Sequence, residues 1–165
     1  WVPIDGLSID LSGARRVVVK PPPGVEVGQS AAIHGLTDDD IAQGVPLDDV
    51  LPEVLAALRG RVLLAHFTDI EERFLSAECE RVYGNRMPVE RIDTLELHRR
   101  IIVGWGQEPL RIGLRLWTAR ERYGLPVYRA HEALVDAIAC AELFLAQVAE
   151  LRAEHRSVTL GRLAS

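Results

Sequence analysis

The apolar residues of this chain recur with a helical period in several separate stretches. Between residues 46 and 58, between 74 and 82, and between 133 and 151, successive apolar positions mostly lie three or four residues apart. Residues at that spacing share one face of a helix, so each stretch predicts an amphipathic helix that buries this face. Pro52 falls within the first stretch, and it fits a helix there only if it lies in the first turn.

Shorter apolar runs between these stretches predict strands. Residues 62–65 form an unalternating run of the kind that is buried on both faces of a sheet, which predicts a central strand. Residues 91–95 are a second short candidate. Near the start, residues 1–10 and 14–19 are two strand-like runs, and the turn signal at residues 5–6 (Asp-Gly) lies in the first of them. We expect these two runs to form an antiparallel pair.

Helices and strands thus alternate along most of the chain, which predicts a mixed α/β domain. Further helices are predicted over residues 95–103 and 110–123, with a loop at 104–109 between them. The periodicity is lost after residue 154, so we expect one domain over residues 1–154 and a loose tail over residues 155–165. The length of 165 residues and the hydrophobic content of 48% suit one domain with a substantial core.

The formal net charge of −5 narrows the function classes. It argues against a protein that coats nucleic acid passively, because such proteins gain affinity from a basic surface. It is compatible with a nuclease, whose site must be acidic in order to hold metal ions.

The two cysteines predict a reducing compartment. Cys79 and Cys140 both fall inside helical patterns, without the spacing of a zinc site, and both suit buried small apolar positions. No apolar run reaches the roughly 18 residues of a membrane span, and no signal peptide is visible. We therefore expect a cytoplasmic protein with no membrane partner.

The strongest candidate chemistry lies at the start of the last predicted helix. His131 and Asp136 stand five residues apart there. Five helical residues turn the chain through about 500°, so the two side chains would not share a helix face. They can converge if His131 lies on the lead-in and Asp136 in the first turns. A surface histidine followed by an ordinary helical aspartate is the alternative.

Other candidate polar residues follow the two predicted strands. Glu71 lies just beyond the run 62–65, near where open α/β sheets bind ligands, although it also suits the positive end of a helix dipole. Asp93 is either a second acidic group near the site or, as we favour, the N-cap of the following helix. His34 lies on a loop beside a glycine. A histidine in that position is more often a turn residue than a ligand, although it could line a site.

Four segments occur in a characteristic order along the chain. They are residues 33–37 (Ile-His-Gly-Leu-Thr), residues 65–75 with His66 and Glu71, residues 92–95 (Ile-Asp-Thr-Leu), and the His-x-x-x-x-Asp motif at residues 131–136. Together they resemble the DEDDh subgroup of 3′–5′ exonucleases, which includes the proofreading epsilon subunit of bacterial DNA polymerase III and oligoribonuclease. The resemblance extends over nearly the whole chain, and the last motif is its most specific part.

The resemblance implies an RNase H-like fold, with a mixed five-stranded sheet flanked by helices, and hydrolysis of nucleic acid from its 3′ end with two Mg²⁺ or Mn²⁺ ions. It implies that Asp136 and Glu71 bind metal and that His131 is the general base that deprotonates the attacking water. The residues that resemble the loop against the 3′-terminal nucleotide are Ile33, His34 and Gly35. The implied partners are 3′ ends of single-stranded DNA or RNA, with a polymerase or a second copy of the chain left open.

The chain departs from the family pattern in three ways. The family's first motif, Asp-x-Glu on the central strand, has no match, and because Trp1 corresponds to the second strand we expect that motif upstream. The family usually shows His-Asn-x-x-Phe-Asp at residues 66–71, so Glu71 replaces an Asp. Asp69 is the alternative ligand, about 200° around the helix from Glu71. Phe67 replaces the Asn and is expected to alter how the terminal nucleotide is held.

Three hypotheses follow for the function. The leading one is a metal-dependent 3′–5′ exonuclease that acts on single-stranded DNA or short oligonucleotides. The second is a catalytically weakened module of the same fold that binds nucleic acid or a partner protein, which the departures at Glu71 and Phe67 favour. The third is an unrelated α/β domain with accidental motif matches, and the order of the four segments argues against it.

Overall fold

The computed structural model describes residues 1–21, 34–104, 106, 113–129, 131–154 and 158–164. Short strands alternate with helices along these residues, and the mixed α/β class is confirmed. The strands are β1 (Ile4–Asp5), β2 (Ser8–Ile9), β3 (Val19–Lys20), β4 (Val45–Pro46), β5 (Leu63–Ala65) and β6 (Arg91–Asp93). The helices are α1 (Asp38–Ala42), α2 (Leu47–Leu58), α3 (Asp69–Tyr83), α4 (Thr94–Gly104), α5 (Leu116–Glu121), α6 (Ala133–Ala153) and α7 (Leu160–Leu163).

The N-terminal strands pair differently from the prediction. The antiparallel pair is a hairpin inside the first run, between β1 and β2, and Gly6 takes the positive φ of 61° in its turn. Arg15 exchanges two backbone hydrogen bonds with Trp1, but β3 then pairs in parallel with β4, with Val19 opposite Val45. The predicted antiparallel partner of β3 is therefore wrong, because a β-branched run shows that a segment is extended without specifying its partner.

β5 and β6 form the strand pair that positions the candidate site. They run parallel, with Leu63 opposite Arg91 and Ala65 opposite Asp93, so their carboxyl ends lie side by side. α3 follows β5 and α4 follows β6, so both helices begin at this shared end. The carboxyl ends of parallel strands are where open α/β sheets bind ligands.

α2 differs from the prediction in the position of its proline. Pro52 lies inside the helix, beyond its first turn. Proline has no N–H to donate, and its ring crowds the preceding turn of the helix. The neighbouring Val50 and Leu51 are buried, so the packing of this face supports the helix in spite of the proline.

α6 packs at the centre of the core. Phe144, Val148 and Leu151 of this helix form one buried cluster with residues of β6 and α4, and Leu163 of α7 joins the same cluster. Residues 158–164 are therefore attached to the domain, and the loose tail predicted there is wrong. A four-residue helix with one buried apolar side chain is too short to show a period in the sequence.

The described strands pair two by two, β1 with β2, β3 with β4 and β5 with β6. This mixed α/β arrangement agrees with the RNase H-like fold that the resemblance implies. Residues 1–4 and β5 both line one large cavity. Cys79 and Cys140 are buried free thiols, as predicted. None of the helices in the described ranges is both long and apolar enough to cross a bilayer.

A buried histidine lies in the core. The His98 side chain of α4 is 0% exposed, neither ring nitrogen has a hydrogen-bond partner among the described residues, and its ring centroid lies 6.4 Å from that of Tyr123. Burial lowers the pKa of His98, the charges of Arg122 and His66 lower it further, and the charge of Glu150 opposes them. Folding therefore disfavours the protonated form of this ring.

The buried ring predicts a loss of stability in mild acid. As the pH falls below about 6.5, the ordinary pKa of histidine, the unfolded chain binds a proton at this ring more readily than the folded chain does. His98→Leu removes this uptake and leaves no polar group of the ring unpaired. We expect the midpoint of thermal unfolding to fall less in the variant than in the wild-type protein between about pH 7 and about pH 5.5. An equal fall in both proteins would show that His98 does not control acid stability.

Candidate active site

A large cavity opens at the carboxyl ends of β5 and β6. Its volume is about 1580 Å³, which exceeds the roughly 300–1,000 Å³ of typical small-ligand sites. Residues 1–4, residues 62–67 and the Cys140 face of α6 all line it. The side chains predicted to carry chemistry that line this cavity together are Glu71, His131 and Asp136. The fold thus brings two distant parts of the chain to one site.

Asp93 holds the backbone turn that joins β5 to α3. Its buried carboxylate accepts hydrogen bonds from the backbone N–H groups of Phe67 at 2.9 Å, of Thr68 at 3.0 Å and of Leu95 at 2.9 Å. The bond from Leu95 is the N-cap of α4 that the sequence predicts. The other two keep Phe67 at a positive φ of 74°, a conformation that costs an L-residue about 1–2 kcal/mol. Asp93 therefore sets the direction in which α3 leaves the strand.

His66 connects the end of β5 to the segment before α5. Its Nε2–H donates to the Leu114 carbonyl at 2.7 Å, and in this tautomer Nδ1 accepts from the Thr94 hydroxyl at 2.9 Å. Burial lowers the pKa of His66, opposed by the Leu114 carbonyl and the charge of Asp93. His66 lines the cavity, but both of its ring nitrogens are engaged, so its geometry suits a structural role.

Glu71 lies in the first turn of α3 and lines the cavity. Its Oε2 atom is buried and has no hydrogen-bond partner among the described residues. Burial raises the pKa of the Glu71 carboxyl, its own backbone N–H lowers it, and the charge of Asp93 raises it again. A buried carboxylate oxygen without a partner is unfavourable, and a bound cation would relieve this cost.

Asp69, the alternative ligand considered from the sequence, pairs with arginines instead. Its carboxylate accepts from Nη1 of Arg91 at 2.7 Å and lies 3.8 Å from Nη2 of Arg73. Glu72 pairs with the same Arg91. Asp69 is absent from the residues that line the cavity, so the geometry favours Glu71 as the ligand from α3.

His131 precedes α6 and Asp136 lies in its first turn, as the sequence predicts. His131 adopts a positive φ of 68°, and its backbone N–H donates to both Asp136 carboxylate oxygens, at 3.1 and 3.3 Å. Glu132 caps α6 by accepting from the Val135 N–H at 3.1 Å, and it pairs with Arg16 at 2.9 Å. This turn brings two residues with a five-residue spacing to the same cavity.

Glu71 and Asp136 are the two predicted metal-binding carboxylates, and both line the cavity. Burial is the main factor that raises the pKa of each carboxyl, and a cation nearby would favour the ionised forms again. Mg²⁺ commonly binds through one or two carboxylates together with phosphate oxygens and waters. Within the described ranges, no group of three or more His, Cys, Asp or Glu side chains could hold a metal ion. Further ligands would therefore come from substrate, water or additional acidic residues.

The residues predicted to bind substrate separate into two groups. Phe67 lines the cavity and is 48% exposed, so it is available to a ligand. His34 and Gly35 are not among the residues that line the cavity, and the His34 Nδ1 atom accepts from the Leu36 N–H at 3.1 Å. This local bond agrees with the interpretation of His34 as a turn residue. Ile33 lies outside the described residues.

Sequence reasoning missed the hydrogen bonds that support this site. The bonds from Phe67 and Thr68 to Asp93 require the parallel register of β5 and β6, which no local pattern reveals. The buried Arg120 was also missed, because an arginine within a helical pattern usually predicts an exposed position. The aromatic residues around it, Trp117 and Tyr128, were its only signal in the sequence.

Comparisons with known proteins identify relatives of the chain. The sequence model of the exonuclease family RNase T matches residues 26–144. The chain is 32% identical over 117 residues to a DNA polymerase III of the PolC type from Thermotoga maritima, covering 71% of this chain and 8% of that protein. It is 27% identical over 117 residues to the DNA polymerase III subunit epsilon of Treponema pallidum, covering 71% of this chain and 53% of that protein. The chain thus spans about half of the epsilon subunit and a small part of PolC.

Proposed function

The chain belongs to the RNase T exonuclease family, and from this premise we propose that it is a metal-dependent 3′–5′ exonuclease. The substrate we propose is single-stranded DNA or a short oligonucleotide. The observation that carries the proposal is the common cavity of Glu71, His131 and Asp136, in which a buried carboxylate oxygen of Glu71 has no hydrogen-bond partner in the part of the chain that the structure describes.

Each of these residues has one role in the proposed reaction. Glu71 and Asp136 would hold Mg²⁺ or Mn²⁺, and a bound ion would supply stabilisation of the negative charge that develops when the phosphodiester is hydrolysed. His131 takes the proton from the attacking water, and its exposure leaves the ring accessible to solvent and substrate. Phe67 offers an exposed aromatic face on which the terminal base can stack.

A polymerase partner is a further part of the proposal. One relative is named as a subunit of DNA polymerase III and another as a polymerase of the PolC type. Because this chain matches only parts of those proteins, association with a polymerase rests on their names. Copurification of the protein with a polymerase of its own organism would test this part.

The choice between Glu71 and Asp69 gives a direct prediction. Glu71→Gln keeps the size of the side chain but removes the charge that faces the cavity, so turnover should fall at least about 100-fold. Asp69→Asn is the matched control, because Asp69 pairs with Arg91 and Arg73 outside the cavity, and it should change turnover less than about threefold. Turnover is measured at saturating Mn²⁺. A larger loss in Asp69→Asn would assign the ligand to Asp69.

The proposed activity is tested with single-stranded DNA and RNA of one sequence. We expect nucleotides to be released in the presence of Mg²⁺ or Mn²⁺ and not in the presence of a chelator. Comparable release from RNA would extend the substrate to both nucleic acids, since the 2′-hydroxyl would then not be discriminated.

A binding module of the same fold is the second candidate function. The observation that favours it is the small number of metal-binding side chains in the described part of the chain, where no group of three could hold an ion. Tight binding of single-stranded DNA by a folded protein that releases no nucleotide in any divalent metal would select this function. Glu71→Asp is then the first substitution with which to seek activity.

A further inference from the structure

A buried arginine joins α5, α6 and the loop that carries His131. Arg120 of α5 is 1% exposed. Its Nη1 donates to the Ala139 carbonyl at 2.5 Å, and its Nη2 donates to the Pro126 carbonyl at 2.8 Å and to Glu142 Oε2 at 2.7 Å. One guanidinium therefore binds the backbone of the loop, the backbone of α6 and a carboxylate of α6.

Two aromatic rings and a second hydrogen bond complete this cluster. The Arg120 guanidinium lies 5.5 Å from the ring centroid of Trp117 and 5.2 Å from that of Tyr128, distances that suit cation–π contacts. The Tyr128 hydroxyl donates to the other carboxylate oxygen of Glu142 at 2.9 Å. Tyr128 lies on the loop, so the loop is attached to the cluster through both its backbone and a side chain.

The loop has little other support in the described residues. Residues 125–129 have no helix or strand, and Val127 is 86% exposed. At the far end of the loop, the His131 N–H donates to Asp136. The two ends of the segment are thus fixed to α6, one through Arg120 and Glu142 and the other through Asp136.

We propose that Arg120 is a positioning residue for His131. The proposal rests on the role of His131 as the general base in the proposed function. An apolar side chain of similar volume would fill the same space without the cost of burying a charge, whereas a guanidinium can hold three acceptors in fixed directions. Misplacement of a reacting group by about 1 Å can reduce turnover about 100-fold, so an anchor of the loop controls the rate through the histidine.

The test is a double-mutant cycle on turnover. Arg120→Lys keeps the charge but cannot hold the three acceptors together, so kcat should fall about 10–100-fold with KM changed less than about threefold. In the His131→Ala background, where no base remains to be positioned, the same substitution should change the residual kcat less than about twofold. Equal losses of kcat in the two backgrounds would overturn the proposal.

Two further variants control for a general loss of structure. Arg122→Lys changes a neighbouring arginine whose Nη2 donates to Glu150 of α6 at 2.8 Å, and it should leave kcat within about twofold of the wild-type value. Tyr128→Phe removes only a hydroxyl of the loop anchor, so it tests the proposal if Arg120→Lys does not fold. It should lower kcat in the wild-type background and not in His131→Ala.

Hydrogen exchange at the His131 amide separates this proposal from the proposed function. Arg120→Lys should speed this exchange by at least about threefold, because a loosened loop opens the bond to Asp136 more often, and Arg122→Lys should not. Unchanged exchange in Arg120→Lys overturns the positioning role. If His131→Ala is as active as the wild-type protein, the assignment of the base fails, and fast exchange in Arg120→Lys would still establish Arg120 as the anchor of the loop.

Discussion

Replacement of His131 should abolish most turnover while the protein stays folded. The substitution His131→Asn is preferable to His131→Ala for the quantitative test, because asparagine tolerates the positive φ of 68° at this position. The side chain is exposed, so its loss leaves the core intact. A positioned general base contributes about 10²–10⁴-fold to a reaction, and we expect kcat to fall within that range.

The measurement is the release of nucleotides from a labelled single strand at saturating metal, together with thermal unfolding of both proteins. We expect the unfolding midpoint to change by no more than a few degrees, since His131 makes its described hydrogen bonds through the backbone N–H. Binding of Mn²⁺ should be retained. Turnover within about threefold of wild type would remove His131 from the reaction.

Replacement of Asp136 should remove both metal binding and turnover. Asp136→Asn keeps an oxygen that can accept from the His131 N–H, so the turn before α6 is preserved while the negative charge is lost. Hard divalent cations depend on carboxylate charge, so the apparent affinity for Mn²⁺ should fall at least about 100-fold. Calorimetric titration with Mn²⁺ measures this affinity directly.

Glu132→Gln is the matched control for this loss. Glu132 caps the same helix and pairs with Arg16, but it is not among the residues that line the cavity. The glutamine keeps an acceptor for the Val135 N–H, so metal affinity and turnover should stay within about threefold of wild type. An equal loss in both variants would mean that overall acidity around α6, and not Asp136 itself, governs binding.

The two substitutions separate the roles at the two ends of one motif. His131→Asn should lose turnover with metal binding retained, and Asp136→Asn should lose both. A pair of merely structural residues would instead show parallel losses of stability and activity. The contrast therefore tests whether one end of the six-residue motif serves proton transfer while the other serves metal binding.

The geometry of this motif could be predicted from the sequence because it is local. Two residues five apart in a helix do not share a helix face. For the side chains of His131 and Asp136 to reach a common point, His131 must therefore precede the helix. The structure places His131 before α6. Such features depend on a few consecutive residues and on backbone geometry alone.

The features that the sequence did not predict depend on contacts between segments that are far apart along the chain. The parallel pairing of β3 with β4, the burial of Leu163 and the hydrogen bonds to Asp93 each involve segments that are remote in sequence. Arg120 is the clearest example, because its burial is compensated by carbonyls, a carboxylate and two rings from three elements. A single sequence carries little information about such pairings.

The most direct test of the central claim is the direction of hydrolysis. Two single-stranded oligonucleotides of the same sequence, one with a blocked 3′ end and one with a blocked 5′ end, are incubated with the protein and Mn²⁺. We expect the strand with the free 3′ end to be shortened stepwise and the strand with the blocked 3′ end to stay intact, with both intact in a chelator. Internal cleavage, shortening from the 5′ end, or no hydrolysis of either strand by the folded protein would contradict a 3′–5′ exonuclease.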